Sequence, residues 1–174
     1  GLVGGHCIGV DPYYLSYCAK KVGHKTTLIN AGRKINNDMS NFIAKDLIQN
    51  LGKNKNKKIL VLGLTFKENC ADIRDSKIFD LINKLKKKYI IFLNDPYAIK
   101  DDVKKKYGYS VTKMADLPNQ FDCIVINLLH DYYKKNQIKY KILKLLKKKG
   151  SVYDLKGLFN PVKLRKKNIK VFNL

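Results

Sequence analysis

Ile59-Leu60-Val61-Leu62-Gly63-Leu64-Thr65-Phe66 is a continuous apolar run of strand length. A strand apolar at every position has both faces covered, which is the condition of a parallel sheet wrapped by helices. Outward from this run the pattern repeats. Tyr89 to Leu93 reads as a second strand, ended by Asn94-Asp95-Pro96, and Phe121 to Asn127 as a third. Ser151 to Leu155 and Ile169 to Phe172 read as the last two. Helical patterns lie between them. Asp75-Ser76 can cap a helix continuing through Lys88, with Ile78, Leu81, Ile82 and Leu85 on one face. A short basic helix is predicted near Asp101 to Tyr107. Asp131 can cap a helix carrying Ile138, Ile142, Leu145 and Leu146. Strands alternating with helices predict an α/β fold built on a doubly wound parallel sheet. Ligands of such sheets sit at the carboxyl ends of the strands. There are no internal repeats.

Upstream, the character changes near Gly52. From Thr26 to Asn50, residues Leu28, Ala31, Ile35, Met39, Phe42, Ile43 and Leu47 recur three or four apart, which predicts an amphipathic helix of about seven turns. So long an apolar stripe cannot be covered by so short a partner region, so it is expected to pack on something outside the chain or on a second copy. Gly52 with Lys53 to Lys58 ends the helix and makes a linker. Residues 1–51 and 52–174 are therefore read as two regions.

The 174 residues suffice for one domain or one domain with an appendage. A formal charge of +22 first suggests nucleic acid. The lysines, however, fall in short clusters at helix ends and between elements. They read as solvated surface, with some attraction for anionic ligands; no nucleic-acid partner is expected. No apolar run is long enough to cross a membrane and no leader pattern is visible. Cys7, Cys18, Cys70 and Cys123 form no Cys-x-x-Cys pair and have no histidine at metal spacing, so neither a zinc site nor a disulfide framework is expected. A reduced, cytoplasmic protein is the simpler reading. The chain begins at Gly1 rather than Met and is read as a fragment.

Glycines crowd around Cys7 in Gly4-Gly5-His6-Cys7-Ile8-Gly9-Val10-Asp11-Pro12-Tyr13-Tyr14-Leu15. The spacing does not fit Gly-x-Gly-x-x-Gly, and no strand precedes it. Asp11-Pro12 reads as N-cap and first helical residue. That sets the cysteine in a glycine-rich loop before a helix N-terminus, where amides favour a thiolate and glycines admit a substrate. A small buried cysteine in a tight loop accounts for the spacing equally well. Phe66-Lys67-Glu68-Asn69-Cys70-Ala71-Asp72-Ile73-Arg74-Asp75-Ser76 forms a polar loop between strand and helix, with Lys67 and Arg74 placed to pair with phosphates. A solvated loop with two chance cations is the alternative. His130-Asp131 follows a buried strand and reads as a helix start. His24 reads as a turn residue.

Both segments resemble signatures of the UDP-glucose/GDP-mannose dehydrogenase family. Gly4-Gly5-His6-Cys7 with Asp11 to Leu15 is similar to its active-site segment, in wording closest to the branch acting on UDP-N-acetylhexosamines. Residues 66–76 are similar to Phe-Lys-x-Asn/Asp-x-x-Asp-x-Arg-x-Ser, with Ala71 where the branch often has Pro. Arg33 to Met39 resembles the family's Arg-x-Ile-Asn-Asp-x-Met, with the acidic residue one place later. The resemblance implies an NAD-dependent, four-electron oxidation of a UDP-sugar alcohol to a uronic acid, for surface polysaccharide. Cys7 is then the nucleophile, and Asp11 helps position water and a catalytic lysine. Gly4, Gly5, Phe66 and Lys67 meet the UDP-sugar, and Arg74 reaches NAD. It also implies that residues 1–51 end a central helical, dimer-forming domain, with the 26–50 helix in a homodimer, and that residues 52–174 form a Rossmann-like UDP-binding domain. The alternative is a UDP-sugar-binding or oligomerising module without catalysis, since the chain contains no NAD fingerprint of its own.

Overall fold

The computed structural model describes residues 2–52 and 54–173. Two helices come first, α1 (Asp11–Lys21) and α2 (Thr27–Leu51). Gly52 ends α2 at φ 77°, its amide bonded to the Ile48 carbonyl. Lys53, first of the linker lysines, lies outside the described residues. The remainder alternates: β1 (Lys58–Leu62), α3 (Ile78–Leu85), β2 (Ile90–Asn94), α4 (Lys100–Tyr107), β3 (Phe121–Ile126), α5 (Asp131–Lys134), α6 (Asn136–Lys144), β4 (Leu146–Asp154), α7 (Pro161–Arg165) and β5 (Lys170–Asn173).

The five strands form one parallel sheet in the order β2-β1-β3-β4-β5. Each strand projects alternate residues to opposite faces. Ile59 and Val61 join one core with Ile43, Ala44 and Leu47 of α2, Ile78, Leu81, Ile82 and Leu85 of α3, and Val103 of α4. Leu60 and Leu62 join the other with Tyr133 of α5, Ile142 of α6 and Leu164 of α7. Helices thus cover both faces, as the unbroken apolar run requires. Each fully buried aliphatic side chain contributes about 1.5–3 kcal/mol.

The chain winds outward from β1 in one direction and from β3 in the other. The crevice at this switch point opens at the carboxyl ends of β1 and β3, where a doubly wound sheet places its ligand. Residues 63–77 and 127–130 lie there.

Several boundaries differ from expectation. The first strand ends at Leu62, because residues 63–66 turn out of the sheet into the polar loop. Asp75 and Ser76 do not cap α3. Asp75 takes φ 50°, the Ser76 hydroxyl donates to the Thr65 carbonyl, and the helix starts at Ile78 and stops at Leu85. Asp131 caps nothing. The helix predicted after it is broken at Lys135, whose extended backbone separates α5 from α6, and Leu146 belongs to β4. In α2 the C-terminal half packs through Ile43, Ala44 and Leu47, while Leu28, Ile35 and Phe42 stay exposed. No helix among the described residues is long and apolar enough to cross a membrane.

Candidate active site

The two glycine-rich and polar segments, some sixty residues apart in sequence, are packed against each other. The Gly5 amide donates to the Asp75 carbonyl at 3.4 Å. A side chain at Gly4 would put its Cβ 2.5 Å from that same oxygen, and one at Gly5, where φ is 103°, would meet the Phe66 ring at 3.0 Å. The two glycines therefore serve close approach to the neighbouring loop, and both are buried. Phe66 is the floor on which Gly5 rests. Its ring also meets the His6 imidazole edge-on, at 6.3 Å between centroids.

The Cys7 thiol is exposed. Its loop winds directly into α1: the Cys7 carbonyl accepts from the amides of Val10 and Asp11, both at 2.9 Å, and the Gly5 carbonyl accepts from Gly9. Val10 occupies the N-cap position and Asp11 the first turn, so Asp11 is not the cap that its spacing predicted. Its carboxylate lies at the positive end of the helix, which favours it there. The amides of Val10 and Asp11 are consumed by this turn rather than offered to the thiol. The cation near the thiol is Arg74 instead. The Asp72 carboxylate holds the Arg74 guanidinium more firmly charged than usual, and Asp75 adds to this.

Asp72 receives Arg74 at Nε and Nη2, between 2.7 and 3.1 Å. That pairing is the main reason its carboxyl is held at about 2. Arg74 Nη1 has no hydrogen-bond partner among the described residues, and the side chain is largely exposed. With Lys105 and Lys106 of α4, and with Asp72 and Asp102, it lines a cavity of about 530 Å³ that carries charges of both signs. Lys67 is exposed, its ammonium 5.5 Å from the Phe66 ring centroid. A cavity of about 900 Å³ lies at the amino ends of β4 and β5, at the other end of the sheet from Cys7.

Residues to which the sequence assigned no role in the site hold it in place. Arg33 of α2 is buried, donates to the Ile8 carbonyl at 3.3 Å and lies over the Tyr13 ring. Asn36 clamps Val3 through both its amide and its carbonyl. Arg33 and Asn36 are polar, so the apolar periodicity that predicted α2 does not record them. His130, read as a helix start, is fully buried, 3.0 Å from Asp95. Asp95 was read as part of a strand terminator. Burial presses its carboxyl upward, but His130 and the amides of Leu64 and Ala98 outweigh that and hold it below the ordinary range. Of the cysteines, Cys123 is sealed in the core and its thiol pushed up to about 12 by burial. Among the described residues no three His, Cys, Asp or Glu side chains gather to hold a metal ion.

Comparison with known proteins matches both parts of the chain to one family. Residues 60–161 match the UDP binding domain of the UDP-glucose/GDP-mannose dehydrogenase family, and residues 1–38 match its central domain. Protein CapL of Staphylococcus aureus is 41% identical over 165 residues, 92% of this chain and 38% of CapL. The UDP-N-acetyl-D-glucosamine 6-dehydrogenase of Salmonella typhi is 37% identical over 164 residues, covering 90% of this chain and 37% of that protein. The chain thus spans less than two-fifths of the length of these relatives. Among solved structures, the NDP-N-acetyl-D-galactosaminuronic acid dehydrogenase of Methanosarcina mazei Go1 shares the fold with a TM-score of 0.80 at 20% identity, over 99% of this chain and 38% of that one.

Proposed function

The chain belongs to the UDP-glucose/GDP-mannose dehydrogenase family, and from that premise we propose that it supplies the thiol and the UDP-sugar site of an NAD-dependent nucleotide-sugar 6-dehydrogenase acting on a UDP-N-acetylhexosamine. The observation that carries the reading is the docking of Gly4 and Gly5 on Phe66 and Asp75. It sets an exposed thiol beside a loop bearing Lys67 and Arg74.

In the proposed reaction the six-position alcohol loses a hydride from carbon and the proton of its hydroxyl, and becomes an aldehyde. The Cys7 thiolate adds to the aldehyde carbon and gives a thiohemiacetal. Loss of a second hydride leaves a thioester, and water cleaves it to the carboxylate, returning the thiol. Two NAD molecules accept the two hydrides, which is the chemistry the cofactor supplies. Sulfur suits both ends of this sequence, being a soft nucleophile and a good leaving group. Asp11, in the first turn of α1, helps to position the hydrolytic water and a lysine from elsewhere in the enzyme. Lys67, with Phe66 and the two glycines, binds the UDP-sugar. Arg74, whose Nη1 has no partner among the described residues, meets the anionic cofactor. Residues 1–51 are the end of a dimer-forming central domain and residues 52–174 the UDP-binding domain. The product is a uronic acid sugar for surface polysaccharide, made in the cytoplasm.

The test is turnover of the intact enzyme on a panel of UDP-sugars. Two NADH per sugar, with UDP-N-acetylhexosamines preferred, is the expected result. NADH formation from none of the panel would refute the reading. The 174 residues alone are expected to form no NADH, since they contain no dinucleotide fingerprint.

A further inference from the structure

We propose that His130 and Asp95 are positioning residues: a buried post that fixes the Lys67 loop in the shape that receives the nucleotide, an inference that rests on the reading of that loop as the UDP-sugar site. His130 is 0% exposed and Asp95 6%, so neither can touch substrate. A buried imidazole and carboxylate are costly unless their protons and lone pairs are used. Here they are used, and largely by one segment.

His130 Nε2 stands 3.0 Å from Asp95 Oδ2, which assigns the proton to Nε2. Nδ1 is then an acceptor and takes the Asn69 amide at 2.9 Å. Asp95 Oδ2 also accepts from the amides of Leu64 at 2.6 Å and Thr65 at 3.3 Å. Its other oxygen accepts from Tyr97 and Ala98 and turns the chain after β2. The pair therefore grips the loop at residues 64–65 and again at residue 69, with Phe66, Lys67 and Glu68 spanning between. Inside the span, the Thr65 hydroxyl donates to the Lys67 carbonyl at 2.8 Å. Outside it, Asn69 and Asp131 exchange two bonds: the Asn69 amide donates to the Asp131 carboxylate and the Asp131 backbone amide donates back. Asn69 itself is held at φ 56°, which Asn tolerates better than most residues. Lys67 is a flexible, exposed cation. Fixing its backbone in advance removes part of the ordering cost of binding an anion.

Three variants of the intact enzyme test this, with UDP as the calorimetric probe. His130→Leu removes both ring nitrogens. His130→Gln restores one acceptor and one donor. Asn69→Gly removes the outer grip and suits a positive φ. Losing the buried post should weaken UDP binding by about tenfold or more, and losing the outer grip by about threefold. His130→Gln should lie closer to the parent than His130→Leu does. The KM for NAD should stay within about twofold throughout, and His130→Leu should add less than about twofold to the loss in Lys67→Ala, because both act through one group. Parent-like UDP affinity in the histidine and asparagine variants, or a full multiplicative loss on top of Lys67→Ala, would overturn the proposal. Should His130→Leu fail to fold, His130→Gln and Asn69→Gly decide it by the same readouts. If Lys67→Ala itself binds UDP like the parent, the loop is not the UDP-sugar site, and the reading of the site fails together with the positioning role.

Discussion

At the scale of single residues, the site depends on what is missing at Gly4. The neighbouring loop's carbonyl occupies the place of a methyl group, 2.5 Å from where a Cβ would stand. Gly4→Ala must push the Cys7 loop away from Asp75, and a shift of this kind can cost about a hundredfold in rate. The expected result is a fall in kcat of that order, with a change in melting temperature of only a few degrees. A parent-like kcat would mean that the docking is not needed for chemistry. The Asp95 carboxyl gives a pH prediction. Its folded value is held below the ordinary one, so its stabilisation is present in full above the ordinary carboxylate value of about 4 and declines as pH falls through the depressed folded value. Urea unfolding compared at about pH 5 and about pH 3 should therefore show a smaller drop in stability for Asp95→Asn than for the parent. Equal drops would contradict this assignment.

At the scale of elements, α2 joins the two parts of the chain. Its C-terminal half is held to the sheet by polar ties as well as by packing. The Tyr153 hydroxyl of β4 donates to the Asp46 carboxylate, Tyr89 donates to the Gly52 carbonyl at 2.7 Å, and Lys57 donates to the Leu51 carbonyl. Tyr153→Phe should lower stability by about 1–2 kcal/mol and leave UDP affinity unchanged, because the Tyr153 hydroxyl bonds to α2 and not to the Lys67 loop. A loss of UDP binding in that variant would mean that the helix angle controls the site. The elements also show where sequence patterns carry information and where they do not. β1, β3 and α2 were legible because continuous or periodic apolar positions record burial directly. The start of α3 was not. Asp75 and Ser76 have the composition of a cap, but the loop uses Asp75 to receive Gly5 and Ser76 to bind Thr65. The break at Lys135 and the entry of Leu146 into β4 were hidden for a similar reason, since an apolar residue at helical spacing serves a strand equally well. The post of Asp95 and His130 joins the ends of two separate strands. Only the order of the sheet brings them together, and a linear pattern does not contain that order.

At the scale of the whole molecule, an apolar surface is left uncovered along α1 and α2: Tyr14, Leu15, Tyr17, Leu28, Ile35 and Phe42 are all more than half exposed. With the proposal of a homodimer through this helix, Ile35→Glu and Phe42→Glu together should convert the intact enzyme from dimer to monomer in sedimentation equilibrium. A dimer that persists would place the interface elsewhere. The charge of +22 comes from lysine clusters along much of the chain, and Lys67 and Arg74 are the cations of the loop that packs on Gly4 and Gly5. In the proposed reaction Cys7 carries the covalent step between the two oxidations. The most direct measurement is the yield of NADH per UDP-sugar in the intact Cys7→Ser enzyme. The parent should give two NADH per sugar, and the variant should stall after the first oxidation with little or no uronic acid formed. Two NADH per sugar from Cys7→Ser at the parent's rate would contradict the thioester route and remove Cys7 from the mechanism.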